Sequence, residues 1–296
     1  MRLPLSLLAN PVDIFIEMGY SVPPLTKIPV IVVVHDLAYK YFPDAYTPAQ
    51  ISSFDKIFSN ISKKAAGIVF VSQNTQRDFE KYFSNSKARK RVIYQATPQS
   101  RLTSNNKNTI DSLPEKYILS VGRLEKRKNT AKLIEAFNYL KQNYQNISHK
   151  LILVGSRGYG YEQVAKAIGS SEDIIEWGYA SDSDLAEIFQ RADVYVYPSL
   201  YEGFGIPILE SFNAKTPVVC SNTSSLPEVG GYAVVYCDPK NHKEIAQKIF
   251  TVISDDKLRH DLLEKGEQQL KKFTWQNHTV ELLDFIKEVY ESCSNS

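Results

Sequence analysis

The stretch "DVYVYPSLYEGFGIPILESFNA" (193–214) decides the fold. "DVYVY" is a β-branched and aromatic run, and it stops at Pro198. "EGFG" (202–205) is a tight turn. "IPILESFNA" then opens a helix with Pro207 in its first turn, where the missing proline N–H costs no hydrogen bond. Strand, turn and helix in that order make the repeating unit of a parallel sheet, and ligands of such sheets bind at the carboxyl ends of the strands. The amides of Gly203, Phe204 and Gly205 would front the helix, an arrangement that favours an anion, phosphate above all. A carboxylate inside that anion site would repel phosphate. Glu202 and Glu210 must therefore face another part of the ligand, and a polyhydroxylated ligand would satisfy both. The alternative makes Glu202 a helix-start charge and Glu210 a solvated helix residue.

Working outward, short apolar runs recur between helical segments. "PVIVVV" (29–34), "GIVFV" (67–71), "RVIY" (91–94), "YILSV" (117–121), "KLILV" (150–154), "IIEW" (174–177), "PVVC" (217–220) and "YAVVY" (232–236) read as strands, with "VDIFIE" (12–17) as a further candidate. They are apolar on both faces, as strands covered by helices on each side are. Helical stripes lie between them: Leu133, Ile134, Phe137 and Leu140; Leu185, Ile188 and Phe189; Leu282, Leu283, Ile286 and Val289. The alternation predicts an α/β fold with parallel sheets and right-handed crossovers. A polar, aperiodic stretch marks a linker at 99–113. It divides a short front domain (1–98) from a back domain (114–273), and a terminal helix occupies 274–296.

The 296 residues are 43% apolar and 23% charged, a globular composition. A net charge of +2 gives no basis for a nucleic-acid partner. Cys220, Cys237 and Cys293 are few and far apart, which predicts reduced thiols and a cytoplasmic setting. No run reaches the roughly 18–20 apolar residues of a membrane span.

Other strand ends carry chemistry too. In "SVGRLEKRKN" (120–129), Gly122 allows a sharp exit from the strand. Arg123 and Lys128, five apart, could converge on one anion, or the loop could be a solvated basic one. "VGSRGYG" (154–160) is a glycine-rich turn that either approaches a ligand or is only a turn. His35 and Asp36 end a front-domain strand, where a histidine is either structural or functional. "SDSD" (181–184) looks like an Asp-x-Asp metal motif, but Ser181 or Asp182 before an amphipathic helix reads better as an N-cap. The basic cluster "SKARKR" (86–91) reads as a solvated face, with contact to an anionic lipid surface as the lesser reading.

Taken together these segments resemble the family 4 retaining glycosyltransferases of the GT-B fold. "HD" (35–36), "GRLEKRKN" (122–129), "GYASDSDLAEIFQRADVYVYPSLYEGFGIPILES" (178–211), "TPVVCSNTSSLPEVGG" (216–231) and "FTW" (273–275) with its helix occur in the family's order. The resemblance implies two Rossmann-like domains with a nucleotide-sugar as donor, a GDP- or UDP-sugar, and neither a metal nor another cofactor. It implies that Arg123 and Lys128 hold the donor diphosphate beside Gly122. By similarity Gly203, Phe204, Gly205 and Ile206 form the turn at the sugar and phosphate. Glu202 and His35 would reach the donor sugar, Glu210 the ribose diol and Tyr179 the region of the base. The terminal helix would cross back onto the front domain. In that family about two or three more strand–helix units precede the "HD" position, whereas 34 residues do here. The expectation is a shortened front domain, which a complementing chain or a second copy could complete.

The function so implied is transfer of a hexose, mannose as the first expectation, to a saccharide or lipid-linked acceptor in polysaccharide assembly, with a peripheral membrane contact as a secondary expectation. Two alternatives remain open at this point: a non-catalytic donor-binding subunit and a nucleotide-sugar epimerase.

Overall fold

The computed structural model describes Leu7 and residues 12–23, 28–97 and 110–294. Most of the expected linker, 99–109, lies outside the described residues. Two compact units result: Met1–Gln95 with Trp275–Ser296, and Ala96–Thr274.

The first unit holds a parallel sheet in the order β1(Phe15–Glu17)-β2(Val30–Val34)-β3(Gly67–Phe70)-β4(Arg89–Val92). Strand β2, "VIVVV", is buried at every residue, because helices cover both of its faces. Helices α1(Ala38–Tyr41), α2(Pro48–Lys64) and α3(Gln73–Tyr82) connect the strands. Val32, Val34, Phe58, Ile61, Ile68, Phe70 and Phe79 form the core. Each such side chain, fully buried, contributes about 1.5–3 kcal/mol relative to exposure.

The chain's last helix, which we number α11 (Trp275–Ser294), belongs to this unit. It presses so closely on β3 that a Cβ at Gly67 would sit 2.9 Å from Val289 and 3.1 Å from Phe285. His278 Nδ1 meets the Tyr94 carbonyl at 2.8 Å. The predicted stripe holds at Val289, with Leu282 and Ile286 half-buried, and gains Phe285 in place of Leu283. Phe285 and Val289 are the buried residues, while Leu283 is 50% exposed. The contact with β3 is made one step round the helix from Leu283.

The basic cluster 86–91 is solvated in part, with Lys87 and Arg89 exposed, but its cations in the strand also make ion pairs. The strand read at 91–94 starts earlier, at Arg89, so the cationic residues lie in β4 itself. Glu288 of α11 pairs with both Arg89 and Arg91, and Lys90 pairs with Glu80 of α3 at 3.2 Å. The Arg91 guanidinium also lies over the Phe285 ring at 5.0 Å. Charged residues on β4 discourage pairing with another chain, and here they also fasten α11.

The second unit contains a six-stranded parallel sheet, β10(Val235–Cys237)-β9(Val218–Ser221)-β8(Val194–Tyr197)-β5(Tyr117–Val121)-β6(Lys150–Val154)-β7(Ile174–Gly178). The crossovers are α4(Thr130–Asn143), α5(Tyr161–Ile168), α6(Asp182–Gln190), α7(Ile206–Asn213) and α8(Leu226–Gly230), followed by α9(His242–Ser254) and α10(Asp256–Leu270). The stripes expected on α4 and α6 are buried as read. The strand read at 232–236 forms only at 235–237. A turn donates from Ala233 N to Gly230 O first and leaves Tyr232 91% exposed.

The chain runs outward through β5, β6 and β7, then returns to β8 beside β5 and runs outward the other way. The order therefore reverses between β5 and β8. In open α/β sheets the crevice outside the carboxyl ends at such a reversal is where ligands bind.

At the opposite end of this sheet, His149 precedes β6 and is 8% exposed. Its Nε2 lies 3.5 Å from Asp193 Oδ2, while its Nδ1 has no hydrogen-bond partner. Burial holds the imidazole below its ordinary value. Asp193 opposes this, and the positive Lys116, Arg259 and Lys141 add to it. The unfolded chain thus takes up a proton near pH 6.5 that the folded unit refuses. Stability is expected to fall as pH drops below about 6.5, by up to about 1.4 kcal/mol per pH unit. Urea unfolding at pH 7 and pH 5.5 checks this, and His149→Gln should remove this part of the slope.

Candidate active site

The loops after β5 and β8 flank the reversal, and the structure ties them together residue by residue. After β5, Glu125 leads into a single 3-10 turn, Lys126–Lys128, which closes at Asn129 with φ 61° and ψ 29°. Asparagine tolerates this left-handed conformation better than most residues. Asn129 Nδ2 donates to the carbonyls of Pro198 (3.0 Å) and Pro239 (2.7 Å). Leu200 N donates to Arg127 O at 2.9 Å, and Arg127 Nη1 donates to Tyr201 O at 3.0 Å. The stretch after β8 is thereby held against the stretch after β5.

Glu202 lies at the centre, 6% exposed. Lys128 Nζ donates to its Oε1 at 2.7 Å, and Arg127 Nη1 donates to its Oε2 at 2.9 Å. Arg127 Nη2 meets Glu125 Oε1 at 3.0 Å on its far side. Lys128 Nζ also donates to the Tyr197 hydroxyl at 2.9 Å. Burial raises the affinity of the Glu202 carboxylate for a proton, but Lys128 and then Arg127 outweigh it and hold the group below its ordinary range. Tyr197 is pushed well above its usual value by burial and then by the Glu202 charge, so it stays a neutral phenol.

The turn 202–205 is supported from behind. Glu202 N donates to Ser224 Oγ at 2.9 Å. Ser225 Oγ meets the carbonyls of Glu202 (3.0 Å) and Phe204 (2.5 Å). Phe204 is buried with its ring edge-on to Phe273, centroids 5.7 Å apart. Gly205 caps α7 at φ 133°, and a Cβ there would sit 3.1 Å from Leu226. Ile206 is the first helical residue. Gly203 is half-buried in the turn. Glu210 lies within α7 and is 4% exposed, so it is not a solvated helix residue. After burial itself, its charge is the next reason that the buried Tyr195 phenol lies well above its ordinary value.

Arg123 and Lys128 do not converge. The Lys128 chain runs over Gly122, whose Cβ would lie 3.4 Å from Lys128 Cε. Arg123 points instead toward Gly158, its side chain 64% exposed and 3.8 Å from Glu125. The cation that shares Glu202 with Lys128 is Arg127, which the spacing argument passed over. The glycine loop 155–160 packs against the loop after β5. It is zipped to 122–126 by Leu124 N to Ser156 O, Gly158 N to Leu124 O and Lys126 N to Tyr159 O. Ser181 caps α6, accepting from Asp184 N at 3.2 Å. Among the described residues no group of three histidines, cysteines or carboxylates is placed to hold a metal ion. Tyr179, after β7, is 86% exposed.

In the first unit, His35 follows β2. Its carbonyl accepts from Thr75 Oγ1 at 3.2 Å, and its ring meets the Tyr20 ring at 5.7 Å, nearly perpendicular. Asp36 Oδ1 accepts from Ala38 N at 2.9 Å and so starts α1.

The sequence profile of the glycosyl transferases group 1 matches residues 103–269, more than half of the chain. The chain belongs to the glycosyl transferases group 1 family. O-antigen chain mannosyltransferase B of Escherichia coli is 38% identical over 174 residues, which are 58% of this chain and 45% of that protein. The serotype-specific mannosyltransferase WbdA of E. coli is 31% identical over 170 residues, 56% of this chain and 21% of that protein. The chain thus spans less than half the length of these curated relatives. The sucrose-phosphate synthase of Thermosynechococcus elongatus superposes with a TM-score of 0.78 at 18% identity, covering 98% of this chain and 77% of the other. WaaG, a glycosyltransferase of lipopolysaccharide biosynthesis, gives 0.71 at 15% identity over 96% and 80%. The fold is GT-B, as the resemblance to the family 4 glycosyltransferases implies. Among the described residues no helix is long and apolar enough to cross a membrane.

Proposed function

We infer that the protein is a glycosyltransferase that moves a hexose, mannose first, from a nucleotide-sugar to a saccharide or lipid-linked acceptor in polysaccharide assembly. The supporting observation is the Lys128–Glu202 pair, which bridges the loops of β5 and β8 at the sheet reversal of a group 1 chain. Mannose is favoured because two relatives are named mannosyltransferases.

Breaking the sugar–phosphate bond builds negative charge on the departing diphosphate and positive charge on the sugar ring. Lys128 and the amides at the start of α7 would stabilise the first, joined by the exposed Arg123 side chain once it turns from Gly158 toward the donor, and the Glu202 carboxylate the second. Fixed charges of this kind act without reorganising as the bond breaks. They would supply the neutralisation that a resident metal otherwise gives. Glu210 would accept from the ribose hydroxyls and Tyr179 would lie at the base. We further propose retention of configuration and a part for His35 at the donor sugar.

A thermal-shift panel of GDP-mannose, UDP-glucose and ADP-glucose tests this reading. One donor should raise the melting temperature of the unmutated protein, and Glu210→Ala and Arg123→Ala should weaken that response. Lys128→Ala should reduce turnover by about 10²–10³-fold, the usual cost of losing one such stabilising group. If no nucleotide-sugar shifts the unmutated protein, the reading fails.

A further inference from the structure

Lys128 is asked to do two things. In the structure it neutralises Glu202, while in the reaction proposed above it neutralises a diphosphate. A buried carboxylate that loses its only counter-ion takes up a proton instead of staying charged. Arg127 removes this conflict. It holds the second oxygen of Glu202 at 2.9 Å and is itself fixed by Glu125 at 3.0 Å and by the Tyr201 carbonyl at 3.0 Å. The other groups facing Glu202 are Tyr197 and Tyr195 of β8 and the Ser199 hydroxyl, and both phenols stay neutral. None of them can replace a cation. Arg127 is also poorly placed to meet a ligand, since its guanidinium is held between Glu125, Glu202 and Tyr201.

We propose that Arg127 is a positioning residue that keeps Glu202 ionised when the donor diphosphate draws Lys128 away, so that the sugar meets a carboxylate and not a carboxylic acid. This rests on the donor-site reading above. Without Arg127, taking Lys128 from Glu202 strands a buried charge, and donor binding becomes coupled to uptake of one proton by Glu202. Affinity then depends on pH, by up to about tenfold per pH unit.

The test measures the affinity of the full chain for GDP-mannose, UDP-glucose and ADP-glucose by calorimetry from pH 6 to pH 8.5. These diphosphate diesters do not themselves titrate in that range. The unmutated protein should show little pH dependence for the donor it binds. Arg127→Met should bind that donor more weakly at pH 8 by tenfold or more and recover as pH falls. Arg127→Lys should restore the flat profile. Arg127→Met combined with Glu202→Gln should also be flat, because no proton is left to take up. Circular dichroism at each pH identifies a variant that has not folded, and Arg127→Lys keeps the comparison informative if Arg127→Met unfolds. A loss of affinity in Arg127→Met that is equal at all pH values would overturn the proposal and leave the donor reading intact. Failure of the unmutated protein to bind any of the three overturns both.

Discussion

Glu202→Ala should lower the stability of the second unit by about 3–5 kcal/mol, the usual cost of removing one partner from a buried ion pair. The reason is what remains. Lys128 and Arg127 have side chains only 15% and 23% exposed, and both lose the same counter-charge. For a unit of this size the shift in melting temperature is on the order of 10 °C. Glu202→Gln keeps the volume and an acceptor and should cost less. Removing a cation as well, in Glu202→Ala with Lys128→Met, should recover part of the loss. A melting temperature within about 1 °C of the unmutated protein would mean that both cations find water without strain, and the network would then have no structural weight.

Gly155→Ala should cost about 2–6 kcal/mol in the same unit. Gly155 has φ 144°, and a Cβ there would lie 2.1 Å from the Gly122 carbonyl oxygen and 2.7 Å from its carbon. Both atoms are backbone, so no side-chain rotation relieves the contact. Crowding of this kind costs about 1–3 kcal/mol, and an unfavourable backbone conformation adds about 1–3 kcal/mol. Gly178 is the control. Its φ is 82°, but a Cβ there meets nothing within 4 Å, so Gly178→Ala should show the backbone cost alone. Equal losses at the two sites, measured by urea unfolding, would show that the 122–155 contact is not the cause.

The strands were legible because a parallel strand buried on both faces has to be continuously apolar, as "VIVVV" and "VYVY" are. Boundaries moved where another rule competed. "RKRV" forms β4 in spite of its charges because Glu288 and Glu80 neutralise them, and both come from helices that no local pattern links to the strand. The two glutamates and Lys128 were legible as candidates because glycine turns and strand ends mark their positions, and the structure buries both glutamates and pairs Lys128 with Glu202. Arg127 was not. In "LEKRKN" it is one of four charged residues in a row, and its meaning depends on Glu202 lying opposite. That neighbour exists only once β8 returns to pair with β5. The left-handed Asn129, with its two carbonyl partners, fixes the turn, and an asparagine between a basic loop and a helix was the one local signal available. The reading of "VGSRGYG" stayed open for a similar reason: its decisive contact is with the Gly122 backbone, which carries no side-chain signature.

The return of α11 to the first unit also bears on synthesis. Domains generally fold as units in the order in which they leave the ribosome. Here the second unit, Ala96–Thr274, is contiguous and can close as soon as its last strand and helices emerge. The first unit cannot, since the Gly67 face of β3 and the two arginines of β4 wait for Phe285, Glu288 and Val289. The half that is translated first is therefore completed last. Until then a nascent chain carries an uncovered apolar strand beside two arginines, Arg89 and Arg91, that lack their Glu288 partner, while Lys90 already has Glu80.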